Sequence, residues 1–354
     1  MESKELAVPL GSLVCVTGSN GMVGSHIVDQ VLAFGYRVRG IVRNLQKSDW
    51  MLEHFNTKYG ANALKVVQVP DLAIEGSLDS ALQDCVALIH AASDLSFSPD
   101  PNTVNPSSIN QLLCTLHSAL KHPTLTRFIF TSSSLAAASQ TQPPDPYSLT
   151  PTSWNTLDLA AAWAPPSYTL PPDRFTKVYA ASKVQAEQAF WEWMDRTRPH
   201  FVGNAVLPDW VTGAPVHGAQ GFPSGVALMR GLWYGDSGFR AVGPGHGVDA
   251  GDVGRLHVAA MARGDCASER VFAYGWSRRW TEGIEMWQEM YPDHEFPEPP
   301  PNEGYDMSAG RVTARPRAEE LLEWISGKTF RPMEESLKEL GDYIEKDYKA
   351  NTES

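Results

Sequence analysis

At 354 residues, 42% hydrophobic and 20% charged, the chain can bury one large core or a large domain with a smaller appendage, which excludes a disordered or fibrous protein. A net charge of −12 opposes binding to a phosphate backbone, so nucleic acid is not expected as a partner. Residues 1–13 lack an apolar signal core, and no run reaches the roughly 18 apolar residues of a membrane span, so a cytoplasmic location without membrane contact is expected.

The first half alternates β-rich apolar runs with helical stretches, the pattern of βαβ units and hence of a doubly wound parallel sheet of the Rossmann type. Strands are predicted over 13–17, 36–42, 64–69, 86–90, 127–131 and 202–207. Helical spacing of apolar residues, for instance Val23, Ile27, Val31 and Phe34, places helices over 22–34 and 108–121. The stretch 140–172 is so rich in proline that it predicts a long ordered loop beside the active site, with Trp154, Trp163 and Tyr168 as wall residues or as anchors of a surface excursion. In this division 1–207 form the dinucleotide-binding domain and 245–275, with a helix over 251–263, return to it. A smaller C-terminal substrate-binding region takes 208–244 and 276–348, two amphipathic helices follow Pro316, and 349–354 form a frayed tail. Cys15, Cys85, Cys114 and Cys266 lack CxxC spacing and the ten histidines form no ligand pairs, so buried free thiols and no metal are expected.

Directly after the first strand, "TGSNGMVGSHIV" places Gly18, Gly21 and Gly24 in a GxxGxxG turn that opens a helix. Gly18 permits the sharp turn, Gly21 lets backbone approach a pyrophosphate, and Gly24 allows close helix–strand packing, while unpaired amides at the helix start face the anion. The end of the second strand selects the dinucleotide. There "YRVRGIVRNLQKSD" carries Arg43 where an NAD enzyme would carry an acid, with Lys47 in reach, so NADP(H) is expected. Arg39 is left as a solvated strand residue.

Tyr179 and Lys183 form a YxxxK pair on a predicted helix, so both side chains share one face and the ammonium is expected to lower the phenol pKa. About 45 residues earlier, "RFIFTSSS" ends a strand in hydroxyls, at the edge where open α/β sheets bind ligands. Ser133 donating to a carbonyl oxygen while Tyr179 delivers the proton would stabilise a forming alkoxide. Ser132 and Ser134 are assigned to turn bonding, and His90 to packing. Candidate pocket walls are aromatic: Phe97, Trp163, Trp210, Phe222 and Trp233, beside Trp154 and Tyr234.

These segments, with "LIHAAS", "YAASK" and "NAVLPDWVTG", resemble the extended short-chain dehydrogenase/reductase superfamily. Within it they are similar to the branch of dihydroflavonol reductases and yeast-type aldehyde, methylglyoxal and carbonyl reductases. The resemblance implies NADPH-dependent reduction of an aldehyde or ketone, with Ser133, Tyr179 and Lys183 as the catalytic three and Lys183 also holding the nicotinamide ribose. It implies pyrophosphate and adenosine contacts from Gly18, Asn20, Gly21, Met22, Val23 and Arg43, completed by Lys47, Asp71, Leu72, Ala91, Ala92 and Pro208. Two stretches depart from the family pattern: "SSINQLLCTLHSA" before the fifth strand and "SLTPTSW" in the proline-rich loop.

The expected function is therefore an NADP-dependent oxidoreductase reducing a hydrophobic or aromatic small-molecule carbonyl, as in secondary metabolism, acting as a monomer or homodimer. The alternatives are an NAD-retaining nucleotide-sugar epimerase or dehydratase, which Arg43 opposes, and a non-catalytic NADP-sensing protein, which the intact Ser133, Tyr179 and Lys183 oppose.

Overall fold

The structure, a computed structural model, describes residues 6–93, 96, 98–139, 148–165, 173–223, 225–243, 245–300 and 312–352. Seven strands form one sheet: β1 (Leu13–Thr17), β2 (Arg37–Val42), β3 (Leu64–Gln68), β4 (Cys85–His90), β5 (Arg127–Thr131), β6 (Val202–Pro208) and β9 (Arg270–Ala273). Their order is β3-β2-β1-β4-β5-β6-β9 and every neighbouring pair is parallel. The order reverses between β1 and β4, which opens a crevice beyond their carboxyl ends.

A parallel sheet is covered on both faces, so alternate residues of one strand serve different cores. Val14 and Val16 of β1 face the layer of α1 (Met22–Ala33), α7 (Ala250–Ala262) and α9 (Arg315–Ser326), whereas Cys15 faces α3 (Pro101–Leu120) and α5 (Arg174–Thr197). All four cysteines are buried and free. A three-stranded sheet of β7 (Trp210–Thr212), β8 (Gly245–Asp249) and β10 (Trp276–Arg278) adjoins the large one. Beside it a third core gathers Trp233 of α6 (Gly225–Trp233), Ile284 and Trp287 of α8 (Trp280–Met290), and Leu337 and Ile344 of α10 (Met333–Thr352). Residues 245–275 thus divide, with β8 in the small sheet and α7 and β9 in the large fold.

Three local features differ from expectation. The helix before β5 starts at Pro101, not 108: the Asp100 side chain accepts from Asn102 N, and proline is tolerated in a first turn whose amides have no helical partner. The proline-rich stretch holds a helix, α4 (Thr156–Trp163), capped by Asn155, whose side chain accepts from Asp158 N at 3.0 Å. The C-terminal helix continues to Thr352, with Lys349 paired to Glu345 one turn back. Residues 140–147 and 166–172, Tyr168 among them, lie outside the described residues. Among the described residues no helix is long and apolar enough to cross a membrane.

Candidate active site

The glycine turn follows β1 directly. Gly18 has φ +64, and a Cβ there would lie 2.9 Å from Ala92 Cα, so neither conformation nor space admits a side chain. A Cβ on Gly24 would collide with the Gly18 carbonyl oxygen. Gly21, at the N-cap of α1, has no side chain to satisfy the first-turn amides, which leaves them for an anion. A second close approach escaped the sequence analysis: a Cβ on Gly40 of β2 would sit 2.7 Å from Ser19 Oγ. These positions fit a dinucleotide pyrophosphate lying against bare backbone.

Arg43 and Lys47 are both exposed at the end of β2, and among the described residues neither forms an ion pair. The loop they stand on is tied to the glycine turn, because Asn20 Nδ2 donates to Ser48 Oγ at 3.0 Å and Ser48 Oγ donates to Asn44 O at 2.9 Å. Two unpaired cations beside a glycine turn suit a 2′-phosphate. Arg39 points elsewhere, donating to the Ala81 and Gln83 carbonyls at 2.7 Å each, so it is not simply solvated. Asp71 is exposed and accepts from Ala73 N, Leu72 is buried, and Ala91 and Ala92 follow β4 at the crevice.

Tyr179 and Lys183 lie one turn apart on α5, facing the carboxyl end of β5. Ser133, just past that strand, hydrogen-bonds to the Tyr179 phenol, while its Oγ accepts from Leu135 N at 3.2 Å. Lys183 Nζ donates to Thr131 O at 3.3 Å and stands 5.8 Å from the centre of the Tyr179 ring. The net direction at the phenol is nevertheless upward, because burial outweighs the stabilisation that a charged neighbour gives its anion. Burial pushes Tyr179 up to about 12, against the pull of the Ser133 bond, and pushes Lys183 down to about 8, against the pull of Glu187. Near neutrality this leaves a protonated phenol beside a cation. His90 is pushed down to about 3 by burial and by the Lys183 charge, is hydrogen-bonded to Thr17 Oγ1 at 3.0 Å, and is neutral packing.

Behind these groups lies a buried network that the sequence analysis missed. Glu187, one turn beyond Lys183, accepts from Ser132 Oγ at 2.7 Å, from Trp191 Nε1 at 3.1 Å and from Arg270 Nε at 2.6 Å. Arg270 in turn donates to the Ser153 carbonyl and lies 4.2 Å over the Trp154 ring, which makes that tryptophan an anchor of the proline-rich stretch. The signal was present: Tyr179, Lys183 and Glu187 repeat at four-residue spacing on one helix face. Ser134 is also engaged, hydrogen-bonding to buried Asp209.

A cavity of about 560 Å³ joins the two ends of the site. Gly18, Gly21, Met22, Val23, Gly24, Ala91 and Pro208 line it, together with Ser133, Tyr179 and Lys183. Beyond Ser133, Tyr179 and Lys183 its walls include Leu135, Phe175, Trp210, Val211, Leu228 and Val242, with Asp158, Asp173 and Asp209 as carboxyl groups. Of the aromatic wall candidates among the described residues only Trp210 is brought there. Trp233 is 1% exposed in the third core against Trp287, Tyr291 and Phe296. Phe222 packs on Tyr343 and under the Arg230 guanidinium, and Trp163 is exposed with Nε1 donating to Gln185 at 3.2 Å. Tyr234 is exposed against Tyr348, and Phe97 lies outside the described residues.

A glycine turn on a 3-2-1-4-5-6 parallel sheet, with a serine, tyrosine and lysine grouped past its switch point, defines an extended short-chain dehydrogenase/reductase. The chain belongs to the NAD-dependent epimerase/dehydratase family, whose model matches residues 14–158. It is 33% identical to NAD-dependent epimerase/dehydratase terH of Aspergillus terreus, over 84% of this chain and 88% of that protein. It is 32% identical to aldehyde reductase 2 of Sporidiobolus salmonicolor, over 94% of this chain and 96% of that protein. Yeast methylglyoxal/isovaleraldehyde reductase Gre2 complexed with NADPH shares the fold at a TM-score of 0.78 and 22% identity, covering 95% of this chain and 99% of that one.

Proposed function

We propose that this chain is an NADP(H)-dependent oxidoreductase that reduces the carbonyl of a hydrophobic or aromatic aldehyde or ketone. The observation that carries this reading is a single cavity with the glycine turn at one end, an apolar wall at the other, and Ser133, Tyr179 and Lys183 between them.

The amides that open α1, around Gly21, Met22, Val23 and Gly24, would hold the pyrophosphate, and Arg43 and Lys47 the 2′-phosphate. Asn20, Asp71, Leu72, Ala91, Ala92 and Pro208 would complete the contacts, with Lys183 on the nicotinamide ribose. When bound, NADPH supplies the hydride. Ser133 has its oxygen engaged by Leu135 N, so its O–H is free to leave Tyr179 and donate to the substrate carbonyl. Tyr179, protonated at neutral pH, delivers its proton to the oxygen as negative charge develops there, and the Lys183 ammonium stabilises the phenolate left behind. Trp210, Leu228 and Val242 would hold the rest of a substrate of the kind secondary metabolism supplies.

The epimerase and dehydratase reading, which the family description and terH carry in their names, would require cations for a sugar-nucleotide pyrophosphate. The described lysines lining the cavity are Lys183, behind the phenol, and Lys177, paired to Asp173 at 3.0 Å. The test is NADPH oxidation by purified protein across aromatic and aliphatic aldehydes and ketones, with NADH in parallel. Turnover that prefers NADPH and bulky apolar carbonyls is expected. Turnover confined to small anionic keto acids, or nucleotide binding without any reduction, would overturn the reading.

A further inference from the structure

We propose that Gln220 is a positioning residue of the cofactor cradle, holding the glycine turn in its anion-binding shape from 200 residues away. This rests on the dinucleotide reading of the turn.

Gln220 Nε2 donates to Asn20 O at 3.2 Å, to Gly21 O at 3.3 Å and to Ser25 Oγ at 3.0 Å. A trans peptide is planar with its N–H opposite its C=O, so a pinned carbonyl fixes the direction of the next amide. Holding Asn20 O orients the Gly21 amide, which closes the turn by donating to Gly18 O at 3.0 Å. Holding Gly21 O orients the Met22 amide, the first of α1, on the side away from Gln220. Gly21 cannot cap the helix itself, and no other side-chain cap is present at this helix start. The amide of Gln220 therefore supplies an external clasp where a serine or aspartate cap would obstruct the ligand.

The clasp is itself fixed by four contacts. Gln220 Oε1 accepts from His217 N at 3.1 Å, and His217 Nδ1 accepts from Ala219 N at 3.1 Å. The His217 ring stacks on Trp50, with centroids 5.0 Å apart and planes at 6°. Trp50 belongs to α2 (Asp49–Tyr59), which follows Lys47, so the segment spans from the pyrophosphate turn to the 2′-phosphate loop. From the other side Tyr343 Oη of α10 donates to Gly221 O at 3.1 Å.

The experiment is calorimetric titration of the full chain with NADPH and with NADH, for wild type, Gln220→Ala and the isosteric Gln220→Glu. Gln220→Ala is expected to weaken both nucleotides by the same factor, about tenfold or ~1.4 kcal/mol, because the cradle serves the part they share. Turnover at saturating NADPH should stay within about twofold, since the catalytic group is untouched. Gln220→Glu, which keeps the shape but replaces the donor by an anion facing two carbonyls, should weaken binding further while the protein remains folded by circular dichroism. Unchanged nucleotide affinity in both variants would overturn the clasp. Selective loss of NADPH alone would do so as well, by moving the effect to the 2′-phosphate. Failure of the wild-type protein to bind either nucleotide would instead sink the dinucleotide reading, and the clasp with it.

Discussion

The two ends of the cavity are built in opposite ways. The cofactor end is centred on backbone from one run of seven residues, Gly18 to Gly24, where a side chain added at Gly18 or Gly24 would strike Ala92 or the turn itself, with Ala91 and Pro208 beside it. The apolar end is made of side chains from separate elements: Trp210 on β7, Leu228 on α6, and Val242 after a short turn. Under it lies an aromatic core centred on Trp233 and Trp287. A site made of backbone needs particular residues to be small, and tolerates few changes. A site made of side chains needs only a supported surface, so its chemistry can vary while the support stays.

That contrast can be broken first at the junction of the two ends. Tyr179→Phe removes the proposed proton donor and should lower kcat by about 10²–10⁴-fold, with NADPH affinity by titration within about twofold. Substantial residual turnover would remove the phenol from the mechanism. Next comes the difference between support and surface. Trp233→Ala should cost ~3–5 kcal/mol of stability in denaturant unfolding, with the KM ratio among substrates nearly unchanged in whatever folds. Trp210→Ala should do the reverse, altering substrate preference at a smaller stability cost; equal stability losses would mean that both are core.

At the cofactor end, Arg43→Ala should weaken NADPH by ~1.5–3 kcal/mol and leave NADH nearly unaffected, because only a 2′-phosphate meets the guanidinium. Equal losses would take Arg43 out of that site. The smallest effect is one of pH. Lys183, pushed down to about 8 by burial, is charged below that value and neutral above it, whereas Tyr179 at about 12 keeps its proton throughout. Carbonyl reduction at saturating substrate should therefore be flat below pH 8 and fall as pH rises through it, by about tenfold per unit at the limit. A rate that rises through that range would exclude the ammonium as the required form.

The contrast also explains what could be read from the amino-acid order. Six strands of the large sheet and the glycine turn were legible because both are written locally, in apolar runs and in residues that must lack a Cβ, whereas the four-residue edge strand β9 was too short to stand out. The grouping of Ser133 with Tyr179 and Lys183 was legible because strand ends and helix faces follow from such patterns. The substrate walls were not, since an aromatic residue in a glycine-rich stretch suits a core as well as a pocket. Trp233 is fully enclosed and Phe222 leans on α10, although both occur in the same glycine-rich stretch as Trp210, and Trp163 of the proline-rich stretch lies outside the cavity. Gln220 was invisible for a related reason: a single amide 200 positions from the turn carries no local mark. Helix α4 could have been found, because Asn155 followed by "TLDLAAAW" is a capped helix start within the prolines.

The ion pair behind α5 has a consequence for the making of the protein. Glu187 is fully buried, and its partner Arg270 comes 83 residues later, on the last strand to join the large sheet. At roughly 5–20 residues per second of synthesis, Glu187 of α5 is made about 4 to 17 seconds before its counter-charge. Burying the Glu187 carboxylate without Arg270 would be costly, so α5 and the side chains it carries are expected to reach their final packing only once that edge strand is in place.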